Sequence, residues 1–508
     1  MTLEREAKLG VWPGFTLPDL SDIAEDVFVE RLGDLRLDAV YHDTAELRLA
    51  RWGITLRHRT GDALPAIEGA SENGWTLKLP KASSGSMLVR DEIVVDGDPK
   101  KVPAEIMQHV VPWVRSAPLQ VVARMHTLRR RTVLRDDEGK QLAEIVDDEV
   151  SVLDGRHIAL RFREVEVELA EGVDESLLDA VVERLRAAGA GAPDPTPQVI
   201  RALGPRTLEP PELVVPTLNK DATAADVLRA GITRAVLRVL DNDMGVRLAD
   251  DAEAVHQARV GTRRLRSDLR TFGPLLDDAW SDALRAELRW FADLLGAVRD
   301  TDVLLHKLEA DLDSLDPSDA KNAPALLARL ESKRAMARKA LLRAMQSRRY
   351  VALLDALVDA ALDPKTLPEA AAPGREVLPH LAAAPWSALR KSVKRAGSTP
   401  EDDALHGIRI RAKRARYAAD VAALVVGKPA TRFAEAVAGV QEVLGEHQDA
   451  CVRRAWLREN AVGLTPAAAL VAGQLIATAQ TDADDRRAAW PKAWKHANEG
   501  RLRTWLTH

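Results

Sequence analysis

Seven prolines fall between residues 193 and 216, at positions 193, 195, 197, 205, 210, 211 and 216. Each fixes φ and removes a backbone donor, so neither a long helix nor a central strand can run through most of this stretch. The chain must therefore divide here. At roughly 100 to 200 residues per domain, 508 residues predict two or three domains. We place a first domain at 1–200, a proline-rich linker at 201–219 and a second domain at 220–508. Before the divide, short segments alternate with period two and are punctuated by Gly, Asp and Pro: ITLRHRT, GWTLKLP, LVRDEIVV, TLRRRTVL and REVEVEL. These read as strands. After it, Ala/Leu/Arg-rich stretches with a 3.6-residue period run nearly to residue 508, which reads as all-α. The expected class is α+β in two unlike parts.

The helical part repeats itself. VHQARVGTRRLR at 255–266 aligns with LHGIRIRAKRAR at 405–416, matching His256 to His406, Arg259 to Arg409, Arg263 to Lys413, Arg264 to Arg414 and Arg266 to Arg416. LGAVRDTD at 295–302 aligns with LGEHQDAC at 444–451, matching Leu295 to Leu444, Gly296 to Gly445 and Asp300 to Asp449. The offsets are 150 and 149, so the two blocks repeat at nearly one offset. Two related helical bundles follow, about 220–365 and 375–508, packed as a pseudo-dimer.

Composition excludes several classes. A chain that is 46% hydrophobic and 29% charged can bury a core, and a single cysteine, Cys451, allows neither a disulfide framework nor a Cys-based zinc site. Cytoplasmic location is the expectation, since MTLEREAKLG has no apolar core of a signal peptide. Residues 461–480 lack charge, but Pro466, Gln474 and Gln480 favour a buried Ala-rich helix over a membrane span. The net charge of −5 hides an asymmetry: residues 1–200 carry 25 Lys+Arg and 36 Asp+Glu, or −11, and the remainder carries 47 and 41, or +6. Of 72 basic residues 54 are Arg, whose planar fork suits phosphate, although a GC-rich genome produces the same bias.

In the first domain Glu4, Glu6 and Lys8 stand at i, i+2 and i+4, so on a strand they share one face, and Glu164, Glu166 and Glu168 do likewise. Rows of carboxylates are costly unless cations face them. Arg57, Arg59, Lys78, Arg90, Arg129 and Arg131 on other strands are the candidates. Two arrangements fit: an open sheet with one solvated charged face, or a barrel with a charged interior where carboxylates hold Mg²⁺ or Mn²⁺ and Arg/Lys hold phosphate.

In chain order, E-x-E-x-K (Glu4, Glu6, Lys8), YHDT (41–44), LRHRTG (Arg57, Arg59), TLKLP (Lys78), RDE (Arg90, Glu92), LRRR (Arg129, Arg131) and E-x-E-x-E (Glu164, Glu166, Glu168) resemble the CYTH domains, the triphosphate tunnel metalloenzymes. The repeated H-x-x-R-x-x-x-[RK]-R-x-R helices resemble the CHAD domain. The first resemblance implies an antiparallel eight-stranded tunnel barrel that cleaves or cyclises triphosphates with a divalent metal. Its members differ in substrate: inorganic triphosphate, thiamine triphosphate, RNA 5′-triphosphate, or ATP in class IV adenylyl cyclases. It also implies Glu4, Glu6 and Lys8 as catalytic residues and Glu4, Glu6, Asp148, Glu166 and Glu168 as metal ligands. For the one family aspartate, Asp147 and Asp148 both stand in LAEIVDDEV, and parity with Glu144 favours Asp148. His42 departs from the family's usual aromatic.

At 100° per residue His256, Arg259, Arg263, Arg266 and Arg270 fall within an arc of about 80°, and His406, Arg409, Lys413 and Arg416 do the same. With Arg264 and Arg414 they form basic stripes whose like charges repel. Either a polyanion offsets that cost or an internal network with Asp300, Asp302 and Asp449 does. Single-stranded nucleic acid would call for interleaved aromatics, and only Tyr417 is near. Inorganic polyphosphate needs none, and the CHAD resemblance implies the same ligand class. His256 and His406 lack a neighbouring Cys or His at metal-ligand spacing. The expectation is a metal-dependent inorganic triphosphatase with a polyphosphate-binding helical domain, located in the cytoplasm or at polyphosphate granules within it. A non-catalytic polyphosphate scaffold, an adenylyl cyclase and a thiamine triphosphatase are the alternatives.

Overall fold

The computed structural model describes residues 2–24, 26–61, 74–80, 88–194, 196–248 and 251–506, and side chains for all of these except 2–5 and 88–90. The chain forms two compact units, Met1–Glu212 and Leu213–His508.

The first unit contains β1 (Thr2–Val11), β2 (Phe28–Arg31), β3 (Leu35–Asp43), β4 (Thr55–Gly61), β5 (Gly74–Pro80), β6 (Leu88–Val95), β7 (Gln120–Arg135), β8 (Gln141–Asp154) and β9 (His157–Leu169). They pair in the order β2-β7-β3-β4-β5-β6-β1-β9-β8, and β8 pairs back onto β7. The ladder from β7 to β8 thus closes on itself, with β2 added beside β7. Closure removes the sheet edges and gives every strand an inside and an outside.

Period-two alternation then sorts the side chains. On the outside, Ala7, Leu9, Leu134, Ala143, Ile145, Val165 and Val167 pack with Leu178, Val181 and Leu185. These last three lie on one helix, and the helices of this unit are α1 (Arg48–Arg51), α2 (Ala104–Val114), α3 (Glu175–Ala187) and α4 (Gln198–Leu203). Within YHDT, Asp43 shapes the backbone that follows. Its carboxylate accepts the backbone N–H groups of Thr44, Leu49 and Ala50 at 2.6, 2.9 and 2.9 Å, fixing the turn into α1. His42 faces outward against Trp75, with ring centroids 4.9 Å apart.

Among the described residues the proline-rich segment is helical in two adjoining stretches, α4 and a 3-10 helix at Gly204–Leu208. Between Pro197 and Pro205 the sequence is free of proline, and α4 forms there. Its Val199 and Ile200 pack against Ala39, Tyr41, Ala123, Met125, Val150 and Val152, which all point inward from β3, β7 and β8. One end of the barrel is therefore filled with apolar side chains, and the charged interior lies next to it.

The second unit comprises α5 (Ala224–Leu240), α6 (Asp243–Leu248), α7 (Ala252–Thr271), α8 (Asp278–Leu312), α9 (Pro317–Ala320), α10 (Pro324–Met345), α11 (Arg348–Leu362), α12 (Gly374–Ala396), α13 (Asp402–Val426), α14 (Lys428–Asn460) and α15 (Pro466–Ala497). The starts of α5 and α12, α7 and α13, and α8 and α14 are each 150 residues apart, so the sequence repeat is a repeat of helices. Thr223, Asp251 and Asp277 cap α5, α7 and α8 through their side chains. Gly261 lets α7 lie against α5: a β-carbon there would sit 2.9 Å from the Ala235 carbonyl oxygen and 2.9 Å from Val239. Across the centre α7 meets α13, where Arg263 Nε donates to Tyr417 Oη at 2.9 Å. Among the described residues no helix is long and apolar enough to cross a membrane.

Candidate functional site

The two acidic rows meet inside the barrel because β1 and β9 are antiparallel neighbours, with Glu6 opposite Glu168 and Lys8 opposite Glu166. Lys8 Nζ donates to Glu166 Oε1 at 2.5 Å and lies 3.4 Å from Glu6 Oε1. Arg129, inward-facing on β7, forks onto Asp148 of β8 with bonds of 2.8 and 2.7 Å and also lies 3.8 Å from Glu166. Asp148 is fully buried and accepts a third bond from Gln198 of α4 at 3.2 Å. Both its oxygens are thus engaged, so Asp148, expected from the sequence to be a metal ligand, instead aims the Arg129 guanidinium. Lys78 lies 3.8 Å from Glu92, Arg131 Nε donates to Glu144 at 2.5 Å, and Arg57 donates to the Tyr41 hydroxyl at 3.4 Å. Arg59 follows Arg57 on the same face of β4.

Of the residues singled out in the sequence, Glu6, Lys8, Asp148, Glu166, Arg57, Lys78, Arg129 and Arg131 therefore share the interior. Glu168 continues their face of β9 but is exposed. The backbones of Glu4 and Arg90 pair directly in the β1–β6 ladder, and their side chains lie outside the described residues. Asp147 points outward and is held by Arg163 at 2.7 and 2.5 Å.

Burial resists ionisation of Glu166, but the charges of Lys8 and Arg129 and the Lys8 hydrogen bond outweigh it and hold the carboxyl well below the usual carboxylate range. Glu164 goes the other way, pushed up to about 7 by burial and by the Glu166 charge. It is fully buried, Arg201 of α4 is 3.3 Å from one oxygen, and neither oxygen has a hydrogen-bond partner. Glu6 Oε1 is also buried without a hydrogen bond. Buried acceptors left open, with oxygen the only donor element, fit a hard divalent cation such as Mg²⁺ or Mn²⁺. At Tyr41 burial raises the phenol pKa, yet the charges of Arg57, Arg59 and Lys8 bring it below its ordinary value.

Glu164, Glu92 and Glu144 stand in the sequence motifs without an assigned role, and Gln198 stands in none of them. The first three share parity with Glu166, Arg90 and Asp148, so alternation alone could have found them. Gln198 reaches the site through α4, and no local pattern marks it.

In the helical unit the stripes of α7 and α13 come together. Arg259 pairs with Asp300 of α8 at 2.9 Å, and its guanidinium lies over Gly296, 3.5 Å from where a β-carbon would be. Arg409 lies over Gly445 at the same 3.5 Å, which is the physical content of the repeated Leu-Gly block. Lys413 faces Arg263, Arg409 and Arg259. Burial first, and then those three charges, push it down to about 6. Asp449 is pushed up by burial against the pull of Arg409 and Lys413. Arg409 Nε and His406 Nδ1 are buried without hydrogen-bond partners, and burial with the Arg299 charge lowers His256. Arg264 and Arg416 turn to Asp420, at 2.6 and 3.8 Å. Asp302 is not a partner of the stripe; it pairs with Arg334 of α10 at 2.5 Å. Arg266, Arg270 and Arg414 lie beyond, toward α8. Tyr417 is buried among Arg263, Arg264 and Arg416, so it offers no face to a nucleic-acid base.

One mixed cluster also exists, Asp402, His447 and Cys451, with donor atoms within 4.8 Å of one another. Arg454 at 2.9 Å and Arg487 already neutralise Asp402, and burial together with the Asp402 charge pushes the Cys451 thiol up to about 11. A cation there would meet two arginines and a protonated thiol, so the cluster is a structural contact.

Comparison with known proteins matches residues 3–194 to the CYTH domain and 230–458 to the CHAD domain. The uncharacterized protein Rv2226 of Mycobacterium tuberculosis is 35% identical over 492 residues, covering 92% of this chain and 90% of that protein. Among solved structures, PptA from Streptomyces chartreusis is similar with a TM-score of 0.47 at 25% identity, over 54% of this chain and 100% of its own. The CHAD domain from the plant Ricinus communis is similar with a TM-score of 0.43 at 27% identity, over 56% and 95%.

Proposed function

We propose that this chain, which belongs to the family joining a CYTH domain to a CHAD domain, hydrolyses inorganic triphosphate in its barrel with Mg²⁺ or Mn²⁺ and binds inorganic polyphosphate through its helical unit. CYTH domains act on triphosphate substrates and depend on divalent cations. The observation that carries the finer reading is the division of labour inside the barrel: open buried carboxylates along β1 and β9, and a set of cations on β4, β5 and β7.

Glu6, Glu164 and Glu166, with Glu4 and Glu168 on the same strands, would hold the cation, which when bound neutralises phosphate charge and activates a water. Arg57, Arg59, Lys78, Arg90, Arg129 and Arg131 grip the phosphate oxygens, and the arginine forks fix the chain in one orientation. Asp148 and Gln198 hold Arg129 in place, so the guanidinium need not reorganise as charge develops. Lys8, held between Glu6 and Glu166, balances their charge and is placed to meet negative charge growing on the phosphoryl group. The apolar plug of α4 keeps water from one end of the site, which strengthens each of these interactions.

The helical unit is supported as a polyphosphate site by the Arg259–Arg263–Arg409–Lys413 cluster, whose charges exceed those of Asp300 and Asp449 and whose one adjacent aromatic is buried. A substrate panel tests the enzymatic reading: inorganic triphosphate, thiamine triphosphate and ATP, each with Mg²⁺ and with Mn²⁺. Fastest phosphate release from inorganic triphosphate supports it. A cyclic nucleotide from ATP would indicate a cyclase, and polyphosphate binding without turnover of any substrate would indicate a scaffold.

A further inference from the structure

The pseudo-two-fold relation of α7 to α13 fails on one flank of their crossing. On one side Asp420 receives Arg264 at 2.6 Å and lies 3.8 Å from Arg416. A shift of 150 residues takes Arg264 to Arg414, Arg416 to Arg266 and Asp420 to Arg270. The mate flank therefore holds three arginines where the first holds two arginines and an aspartate. Neighbouring positions widen the difference. Gly261 corresponds to Arg411. The buried residues Leu284, Leu288, Phe291 and Leu295 of α8 align with Phe433, Val437, Val440 and Leu444 of α14 at an offset of 149, so Arg285 and Arg289 correspond to Ala434 and Ala438.

The antiparallel packing of α7 on α8 is fixed by Arg259–Asp300 at 2.9 Å and by Ser281 Oγ donating to the Leu269 carbonyl at 3.4 Å. That register sets Arg266 and Arg270 beside Arg285 and Arg289. Among the described residues only Asp282, 2.5 Å from Arg285, makes an ion pair with this group. Asp293 adds a more distant negative charge near Arg266. Burial and then the neighbouring arginines lower Arg266 and Arg414 below the ordinary guanidinium value. Arg266/Arg270 and Arg285/Arg289 are also like-charged i,i+4 pairs, which work against their own helices. Six arginines are collected at a cost to the fold, on one flank and not on its mate.

We infer that this arginine flank is a second anion site of the helical unit, taking phosphate groups of a chain that leaves the Arg259–Arg263–Arg409–Lys413 cluster and continues along α7. The inference rests on the polyphosphate reading of that cluster. From Arg263 to Arg270 is seven residues, or about 10 Å along the helix, so an extended phosphate chain reaches both and a short one does not. The second site thus makes the unit selective for chain length.

The test uses the full-length protein and the double variant Arg285→Ala/Arg289→Ala, with binding of labelled long-chain polyphosphate competed by unlabelled long and short chains. Long-chain affinity is expected to fall roughly tenfold, from two lost charge contacts, with short-chain affinity retained. Arg285→Lys/Arg289→Lys should keep most of the preference for long chains. Wild-type long-chain affinity in the alanine variant, or an equal loss for both lengths, overturns the second site alone. Absence of polyphosphate binding by the wild-type protein overturns the reading on which it rests.

Discussion

Lys413 makes polyphosphate binding pH-dependent in a direction that can be worked out. In the ligand-free protein burial and the charges of Arg263, Arg409 and Arg259 push its ammonium down to about 6, so at pH 7 and above it is mainly neutral. A bound phosphate chain supplies the counter-charge and restores the proton. The complex then carries one more proton than the free protein, and affinity must fall as pH rises, by about tenfold per pH unit for one proton while the complex stays protonated. Between pH 7 and 9 this amounts to roughly a hundredfold in Kd. Of the other titratable groups near the cluster, burial and the Arg299 charge lower His256 away from that window, and burial raises Asp449 against the pull of Arg409 and Lys413, so the Lys413→Arg variant separates the lysine's proton from theirs. Calorimetric titration in buffers of different ionisation enthalpy should give uptake approaching one proton per protein molecule bound at pH 8. Lys413→Arg keeps its charge throughout and should bind with a flat pH profile. A wild-type Kd constant from pH 7 to 9, or a slope that persists in Lys413→Arg, would refute the reasoning.

Other perturbations follow from the same geometry. Asp148→Asn leaves Arg129 buried without its carboxylate fork and should cost about 3 kcal/mol, read as a lower denaturation midpoint of the barrel, with kcat/KM falling as well. Arg57→Ala should lower kcat and raise KM together, since the guanidinium grips phosphate in both ground and transition states; unchanged kinetics would remove it from the site. Glu166→Gln should abolish hydrolysis while the far-ultraviolet circular dichroism stays that of the wild type, and an unfolded protein would instead mark Glu166 as structural. Gly261→Ala drives a methyl into the Ala235 carbonyl and Val239 and should destabilise the helical unit by about 1–3 kcal/mol in denaturant unfolding.

Alternation carried much of the barrel. Period two identified the strands around Arg57, Lys78, Arg129 and Glu166, and parity alone turned Asp148 inward and left Asp147 to pair with Arg163 outside. What alternation cannot convey is contact between distant segments. Nothing local indicates that β1 pairs with both β6 and β9, that β3 pairs with β7, or that α4 forms between two prolines and brings Gln198 to Asp148 and Arg201 to Glu164. The repeat located both basic helices, because a 150-residue offset survives divergence of the loops. It did not reveal how the stripe divides, since Asp420 and the α8 arginines lie off the helical arc and act only once α7, α8 and α13 pack together. Asp302 illustrates the same point: near the stripe in sequence, it belongs to Arg334 in space.

The central claim concerns the barrel interior, and phosphate release from inorganic triphosphate tests it most directly. The full-length protein should release phosphate with Mg²⁺ or Mn²⁺ and lose that activity in excess EDTA, and Glu6→Gln should be inactive at every metal concentration while melting as a folded protein. Equal release with and without metal, or full activity in Glu6→Gln, would contradict the assignment of the buried carboxylates to a divalent cation. No release from triphosphate under any metal would contradict the triphosphatase reading itself.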